Sequence, residues 1–97
     1  SLGWIDVSIA YGESIEKVRE VLLRVANAHP LVLQEPKKPF APVESLGESC
    51  VNMSLYAWML PENYWTVLYD LNQQVYETLL KEGIEIPFNQ LDVHIKQ

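Results

Sequence analysis

Side chains that commonly bind metals are few in this sequence, which has one cysteine and two histidines among 97 residues. Cys50, His29 and His94 are far apart along the chain. A metal site needs three or four such ligands converging at helix or turn spacing. A small buried thiol and two polar histidines are therefore the favoured interpretation. The sequence predicts neither a metal site nor a cofactor.

Catalytic groups are equally hard to assemble. Cys50 could act as a nucleophile only beside a base or a positive charge that lowers its pKa, and its neighbours in sequence supply neither. Carboxylate pairs such as Glu16 and Glu20 have the spacing of a solvated helix face. The four glycines, at positions 3, 12, 47 and 83, are too dispersed for a phosphate-binding loop. We predict that the chain is not an enzyme.

The charge balance excludes some classes of partner. Seven basic and 13 acidic residues give a net charge of -6, which argues against nucleic-acid binding. Tyr56 and Trp58 could stack on RNA bases, but no basic residues flank them. No segment approaches the roughly 20 apolar residues that cross a bilayer, so we expect this segment not to span a membrane itself. Because it begins with Ser1 rather than methionine, we expect a piece of a longer protein.

The first half of the chain has the pattern of a strand followed by a helix. Ile5, Val7 and Ile9 alternate with less apolar residues, which predicts a half-buried strand. Ser14 is placed to cap a helix with an apolar stripe at helical spacing. That helix is predicted to end near Pro30, before a proline-rich connector.

The second half repeats strands and a helix. A short strand over residues 43–46 precedes the clearest strand of the chain, over residues 50–58. The second face of this strand is amphipathic and aromatic, so we expect it to be covered rather than wet. A helix is predicted over residues 62–82, with Gly83 as its cap. Residues 84–86 then begin a strand that Pro87 interrupts.

The predicted second helix has an unusually wide apolar arc. One stripe forms the expected core face: Tyr64, Leu68, Leu71, Val75 and Leu79. A neighbouring stripe contains Trp65, Tyr69, Tyr76 and Leu80. This arc is wider than packing on one small sheet requires, but since aromatic stripes are usually buried, packing in the core is favoured.

The order of elements predicts an α+β fold. It is a ferredoxin-like split βαβ sandwich (βαββαβ), with an antiparallel sheet and two helices on one face. The end of the chain allows two interpretations. Residues 91–95 either form the sheet's fourth strand, or residues 84–86 take that place and residues 91–95 project to pair with other chains. The sequence pattern alone does not distinguish between these two interpretations.

Short motifs along the chain resemble the cytoplasmic α/β domain of MscS-type (small-conductance) mechanosensitive channels. They are Val-Ser-Ile-Ala-Tyr at 7–11, Ile-Glu-Lys-Val at 15–18, Pro-Leu-Val-Leu at 30–33, Leu-Gly-Glu-Ser-Cys-Val at 46–51 and Tyr-Trp-Thr-Val at 64–67. The most specific is Gly-Ile-Glu-Ile-Pro-Phe at 83–88, followed by Gln90, Asp92, Val93 and His94. Asn89 departs from the family's usual proline, which loosens the turn. Cys50 replaces a usual serine.

The resemblance implies a homoheptameric channel in the cell (inner) membrane, with this domain on the cytoplasmic side. Such a channel opens under membrane tension in hypo-osmotic shock and releases ions and small solutes. The domain would occupy residues 1–88 and form part of a cage. Residues 89–97 would project as a strand into an inter-subunit barrel.

The resemblance also suggests which residues lie between subunits or line the openings of the cage. Candidates for the oligomer interface are Phe88, Gln90, Leu91, Val93, Ile95, Trp65 and Tyr69. Glu44, Glu48 and Glu62 are candidates for portal charge, which would enrich cations locally. The alternative is a free-standing ferredoxin-like ligand-binding or interaction module, which would require a pocket with convergent polar groups.

Overall fold

The computed structural model describes residues 1–87. The secondary structure is β1 (Leu2–Ala10), α1 (Ile15–Ala28), β2 (Val43–Leu46), β3 (Cys50–Trp58) and α2 (Tyr64–Lys81). A single 3-10 turn, Pro61–Asn63, leads into α2. The predicted order of these elements is therefore confirmed.

The sheet has β3 at its centre. The strand order is β1-β3-β2, and β3 is antiparallel to both neighbours. The ladder between β1 and β3 runs without a break from the pair Leu2 and Trp58 to the pair Ala10 and Cys50. The ladder to β2 is short and shifts register between Val43 and Ser45. Two isolated bridges from the connector, at Leu33 and Phe40, extend that edge of the sheet.

Both helices pack on one face of the sheet, so the fold is the predicted two-layer α+β sandwich. The register places Ile5 opposite Leu55 and Val7 opposite Met53, and all four side chains are buried. α2 contacts β1, while α1 contacts β3 and α2. The apolar faces of β1, β3 and the two helices thus enclose one core, whereas the four residues of β2 are exposed.

The sequence features that predicted α1, its N-terminal cap and its apolar stripe, have the expected roles in the structure. The Ser14 Oγ accepts a hydrogen bond from the Lys17 N–H at 3.2 Å, which satisfies one donor of the first turn. The apolar stripe is buried at Val18, Leu22 and Val25. His29 follows the helix as its C-terminal cap.

The two stripes of α2 have different environments. The core face is buried at Val67, Leu68, Leu71, Val75 and Leu79, and Tyr64 is half-buried. The neighbouring stripe is exposed, by 62% at Trp65, 65% at Tyr69, 57% at Tyr76 and 64% at Leu80. The expectation that this stripe packs in the core is wrong. β1 and α1 contact the inner face of α2, and the wide apolar arc continues around the helix beyond them.

Residues 84–86 do not form the predicted strand. The Ala10 N–H donates to the Glu85 carbonyl at 3.2 Å, which is one ladder-like bond to the end of β1. The Glu85 N–H instead donates to the Glu13 carboxylate at 3.0 Å, and Pro87 has no N–H to continue a ladder. The predicted strand at residues 91–95 lies outside the described residues.

Candidate interaction surfaces

His29, which was expected to be a polar side chain at the end of a helix, is buried and has a structural role. Its Nδ1 accepts a hydrogen bond from the Leu31 N–H at 3.1 Å, so Nε2 carries the ring proton. Nε2 lies 2.7 Å from Asp70 Oδ2 and donates to it. The ring therefore joins the end of α1 to α2. The partners are 41 residues apart, so no local pattern in the sequence indicates the contact.

The surroundings of Cys50 do not form a catalytic site. Its half-buried thiol donates to Asn52 Oδ1 at 3.3 Å, an amide oxygen that cannot act as a base. Within residues 1–87, no group of three histidine, cysteine or acidic side chains could hold a metal ion. His94 lies outside this range.

The outer face of the sheet carries an open groove of about 450 Å³. It is lined by Trp4, Asp6, Val7, Ser8, Glu44, Ser45, Asn52, Met53, Ser54 and Tyr56. The Ser54 hydroxyl donates to Asp6 Oδ1 at 3.1 Å, and the Ser8 hydroxyl donates to Asn52 Oδ1 at 3.2 Å. Hydrogen bonds between neighbouring strands therefore hold the floor of the groove in one arrangement.

Aromatic rings form a row across one end of this groove. Phe40 is stacked on Tyr56 with ring centroids 4.7 Å apart, and Tyr56 lies 5.9 Å from Trp4. The Lys37 ammonium lies 4.3 Å from the centroid of Phe40. The prediction that the second face of β3 is covered is confirmed only in part, because Ser54 is buried and Phe40 stacks on Tyr56, while Asn52, Tyr56 and Trp58 stay half-buried.

The three candidate portal carboxylates do not lie together within the chain. Glu44 is on β2 and accepts a hydrogen bond from the Tyr56 hydroxyl, which raises the pKa of that hydroxyl above 10.0. Glu48 lies in the turn before β3, and Glu62 lies in the 3-10 turn after it. Because β3 has nine residues, its length separates these two by roughly 30 Å. Glu48 and Glu62 are exposed.

The exposed aromatic stripe of α2 contains two of the candidate interface residues. The rings of Trp65 and Tyr69 lie 5.7 Å apart, and Trp65 is edge-on to Tyr64 at 5.1 Å. These contacts order the rings while leaving much of their surface exposed. The remaining candidates, Phe88, Gln90, Leu91, Val93 and Ile95, lie outside the described residues.

Comparison with known proteins gives the family. Residues 5–86 match the family model described as "Mechanosensitive ion channel MscS, C-terminal". The chain belongs to the MscS family. An MscS-family protein of Archaeoglobus fulgidus is 36% identical over 84 residues, which cover 87% of this chain and 29% of that protein. The mechanosensitive channel MscK of Escherichia coli is 38% identical over 94% of this chain and 8% of the relative.

A solved structure supports the same assignment. The crystal structure of Helicobacter pylori MscS in its closed state matches with a TM-score of 0.79 and 27% identity. The match covers 100% of this chain and 39% of that one. The chain thus has the fold of an MscS C-terminal domain and spans less than half the length of these relatives. Neither of the two described α-helices is long and apolar enough to cross a bilayer.

Proposed function

We propose that this chain is the cytoplasmic cage domain of a tension-gated channel, in which it assembles subunits and filters ions and small solutes. The observation that carries the proposal is the match to MscS from residue 5 to residue 86, together with the similarity to closed Helicobacter pylori MscS. The chemistry of the described residues agrees with a binding and assembly role. The two buried polar residues among those described, His29 and Ser54, are used in structural contacts between elements.

In this proposal the parent protein is a homoheptamer of the inner membrane that responds to hypo-osmotic shock. The tail residues Phe88, Gln90, Leu91, Val93 and Ile95 pair between subunits, and Trp65 and Tyr69 contact a neighbouring subunit. Support for the second contact comes from the α2 stripe, since exposed aromatic side chains are enriched at protein interfaces. A ring would bury side chains that the isolated domain leaves in water.

The filtering role depends on charge at the openings between subunits. A net charge of -6 per chain is multiplied around a ring, and carboxylates at a narrow opening raise the local cation concentration. All three candidates are exposed, and Glu48 and Glu62 are the more informative ones. Glu44 is already hydrogen-bonded to Tyr56, so its replacement would also disturb the sheet face.

Patch-clamp recording of the full-length parent channel tests both parts of the proposal. Cells that express the parent should show tension-activated currents, and patches without it should lack them. Glu48→Lys and Glu62→Lys should shift the reversal potential in a salt gradient toward anion permeation. Glu20→Lys, an exposed carboxylate on α1, is the matched control. Unchanged reversal potentials in both portal variants would remove the charge-filter proposal, and the absence of tension-activated current would remove the channel proposal.

A further inference from the structure

We propose that the groove on the outer face of the sheet binds a small organic cation, with a quaternary ammonium group as the best match. The site lies between the Trp4 and Tyr56 rings and the carboxylates of Asp6 and Glu44. It is a property of the single chain and does not depend on the channel proposal. Its volume of about 450 Å³ is in the range of small-molecule sites.

The charge of the groove favours a cation. The part of its lining that the structure describes includes the two carboxylates and contains neither lysine nor arginine. Within residues 1–87, the hydrogen bonds to these carboxylates use Asp6 Oδ1 and Glu44 Oε2. The second oxygen of each carboxylate can then make an electrostatic contact with a cationic ligand. Serine and tyrosine hydroxyls hold both carboxylates in place, so binding orders few side chains.

The aromatic rings favour an organic cation. A cation over the face of an aromatic ring is attracted by the ring's quadrupole, and tryptophan gives the strongest attraction. Half of the Trp4 surface is exposed at one end of the row of rings. At the other end the Lys37 ammonium already lies 4.3 Å from the Phe40 centroid. At one end of the row a ring already contacts a cation of the chain itself, the Lys37 ammonium. At the other end, the exposed surface of Trp4 can contact the cation of a ligand.

Other ligand classes fit this groove less well. A metal ion requires several converging oxygen or nitrogen ligands, and the described residues contain no such group of three. A neutral ligand would use the rings but would gain nothing from the two negative charges. A quaternary ammonium group has no N–H to hydrogen-bond to water, and its methyl groups make it bulky enough to contact a ring and a carboxylate together.

Nuclear magnetic resonance titration of the isotope-labelled 97-residue chain tests the site, with choline as the probe. Choline at low ionic strength should cause saturable shifts of the Trp4 indole N–H and of the backbone N–H groups of Asp6 and Tyr56. Dimethylbutanol, the neutral carbon isostere of choline, should cause none that saturate. The double variant Asp6→Asn with Glu44→Gln should bind choline at least about tenfold more weakly.

Further variants distinguish the contribution of the Trp4 ring from those of the groove carboxylates and of the net charge of the chain. Trp4→Leu should weaken choline binding by about 3- to 10-fold, and Trp4→Phe should restore part of it. Glu20→Gln removes one negative charge outside the groove and should leave the affinity within about twofold. The absence of saturable shifts, an equal response to the neutral isostere, or equal weakening by Glu20→Gln would overturn the proposal. Circular dichroism of each variant distinguishes lost binding from lost folding.

Discussion

His29 Nε2 lies 2.7 Å from Asp70 Oδ2, and this hydrogen bond joins the cap of α1 to α2. The His29 side chain is 4% exposed, while that of Asp70 is 46% exposed. A buried N–H group that loses its acceptor keeps its desolvation cost without compensation. The pair therefore adds a buried polar contact to the apolar packing between the two helices.

Removing the acceptor should destabilise the domain. We expect Asp70→Ala to lower the free energy of unfolding by about 1–2 kcal/mol, because the His29 N–H is left buried without its partner. Asp70→Asn keeps an acceptor oxygen and should cost less. Gln74→Ala, at an exposed position of the same helix, is the control. Urea unfolding measures all three, and equal stability of Asp70→Ala and Gln74→Ala would contradict the assigned role.

The N-terminal cap of α1 gives a second test. Ser14→Ala removes the Oγ that accepts from the Lys17 N–H, and we expect a loss of about 0.5–2 kcal/mol in the free energy of unfolding. Ser14→Asp keeps a capping oxygen and adds a favourable charge at the helix N-terminus. It should therefore retain wild-type stability in urea. A Ser14→Asp variant as unstable as Ser14→Ala would show that the cap contributes little.

A third test concerns stability in acid. The hydrogen bond from Arg24 lowers the pKa of Glu82 below its ordinary 4.5. Since the folded-state pKa is lowered, the stabilisation is present above pH 4.5 and is lost as the pH falls through the lowered pKa. Arg24→Gln should return the Glu82 pKa toward its ordinary value. The free energy of unfolding of this variant should then fall less steeply than that of the wild type as the pH is lowered into the acid range. Carboxyl titration by nuclear magnetic resonance checks this, with Arg19→Gln as a control that leaves Glu82 unchanged.

The exposed stripe of α2 gives a fourth test, which depends on the proposed function. In the isolated chain, Trp65→Ser with Tyr69→Ser should change the free energy of unfolding by less than about 1 kcal/mol, because both side chains are mostly exposed. Leu71→Ala, at a buried position of the same helix, should cost about 2–5 kcal/mol. In the full-length channel, the serine variants should instead reduce the assembled fraction in sedimentation. An unchanged assembled fraction would show that Trp65 and Tyr69 do not contribute to the interface between subunits.

The isolated chain should itself assemble poorly. In the proposed channel, the membrane segments of the parent hold the subunits close together, which raises the effective concentration of each domain. The 97-residue chain lacks that advantage, so we expect weak or absent heptamer formation. Sedimentation that finds a stable heptamer at micromolar concentration would contradict this expectation.

Local patterns predict the elements of this fold well because each pattern depends on neighbouring residues. The alternation in β1, the Ser14 cap and the core stripe of α2 all report which face of an element is apolar. They do not report what lies opposite that face. The exposure of Trp65 and Tyr69 therefore could not be predicted, since an apolar stripe looks the same in a core and at an interface.

Contacts between residues that are far apart in the sequence could not be predicted from local patterns either. The outer-face groove depends on β1, β2 and β3 lying in one sheet, and the Phe40 stack depends on the path of a proline-rich connector. The strand predicted at residues 84–86 is absent because the Glu85 N–H bonds to the Glu13 carboxylate, 72 residues away. A strand propensity cannot anticipate such a competing partner.

The placement of β1 has a mechanical consequence. Its nine residues separate Ser1, whose backbone nitrogen donates to the Met59 carbonyl, from Glu85, whose carbonyl accepts from the Ala10 N–H. A force applied between Ser1 and Glu85 therefore acts along the strand axis. It loads the unbroken ladder between β1 and β3 in shear, so that its hydrogen bonds resist together and do not peel one at a time. We expect the domain to transmit tension as a stiff link, which single-molecule pulling from these two positions would measure.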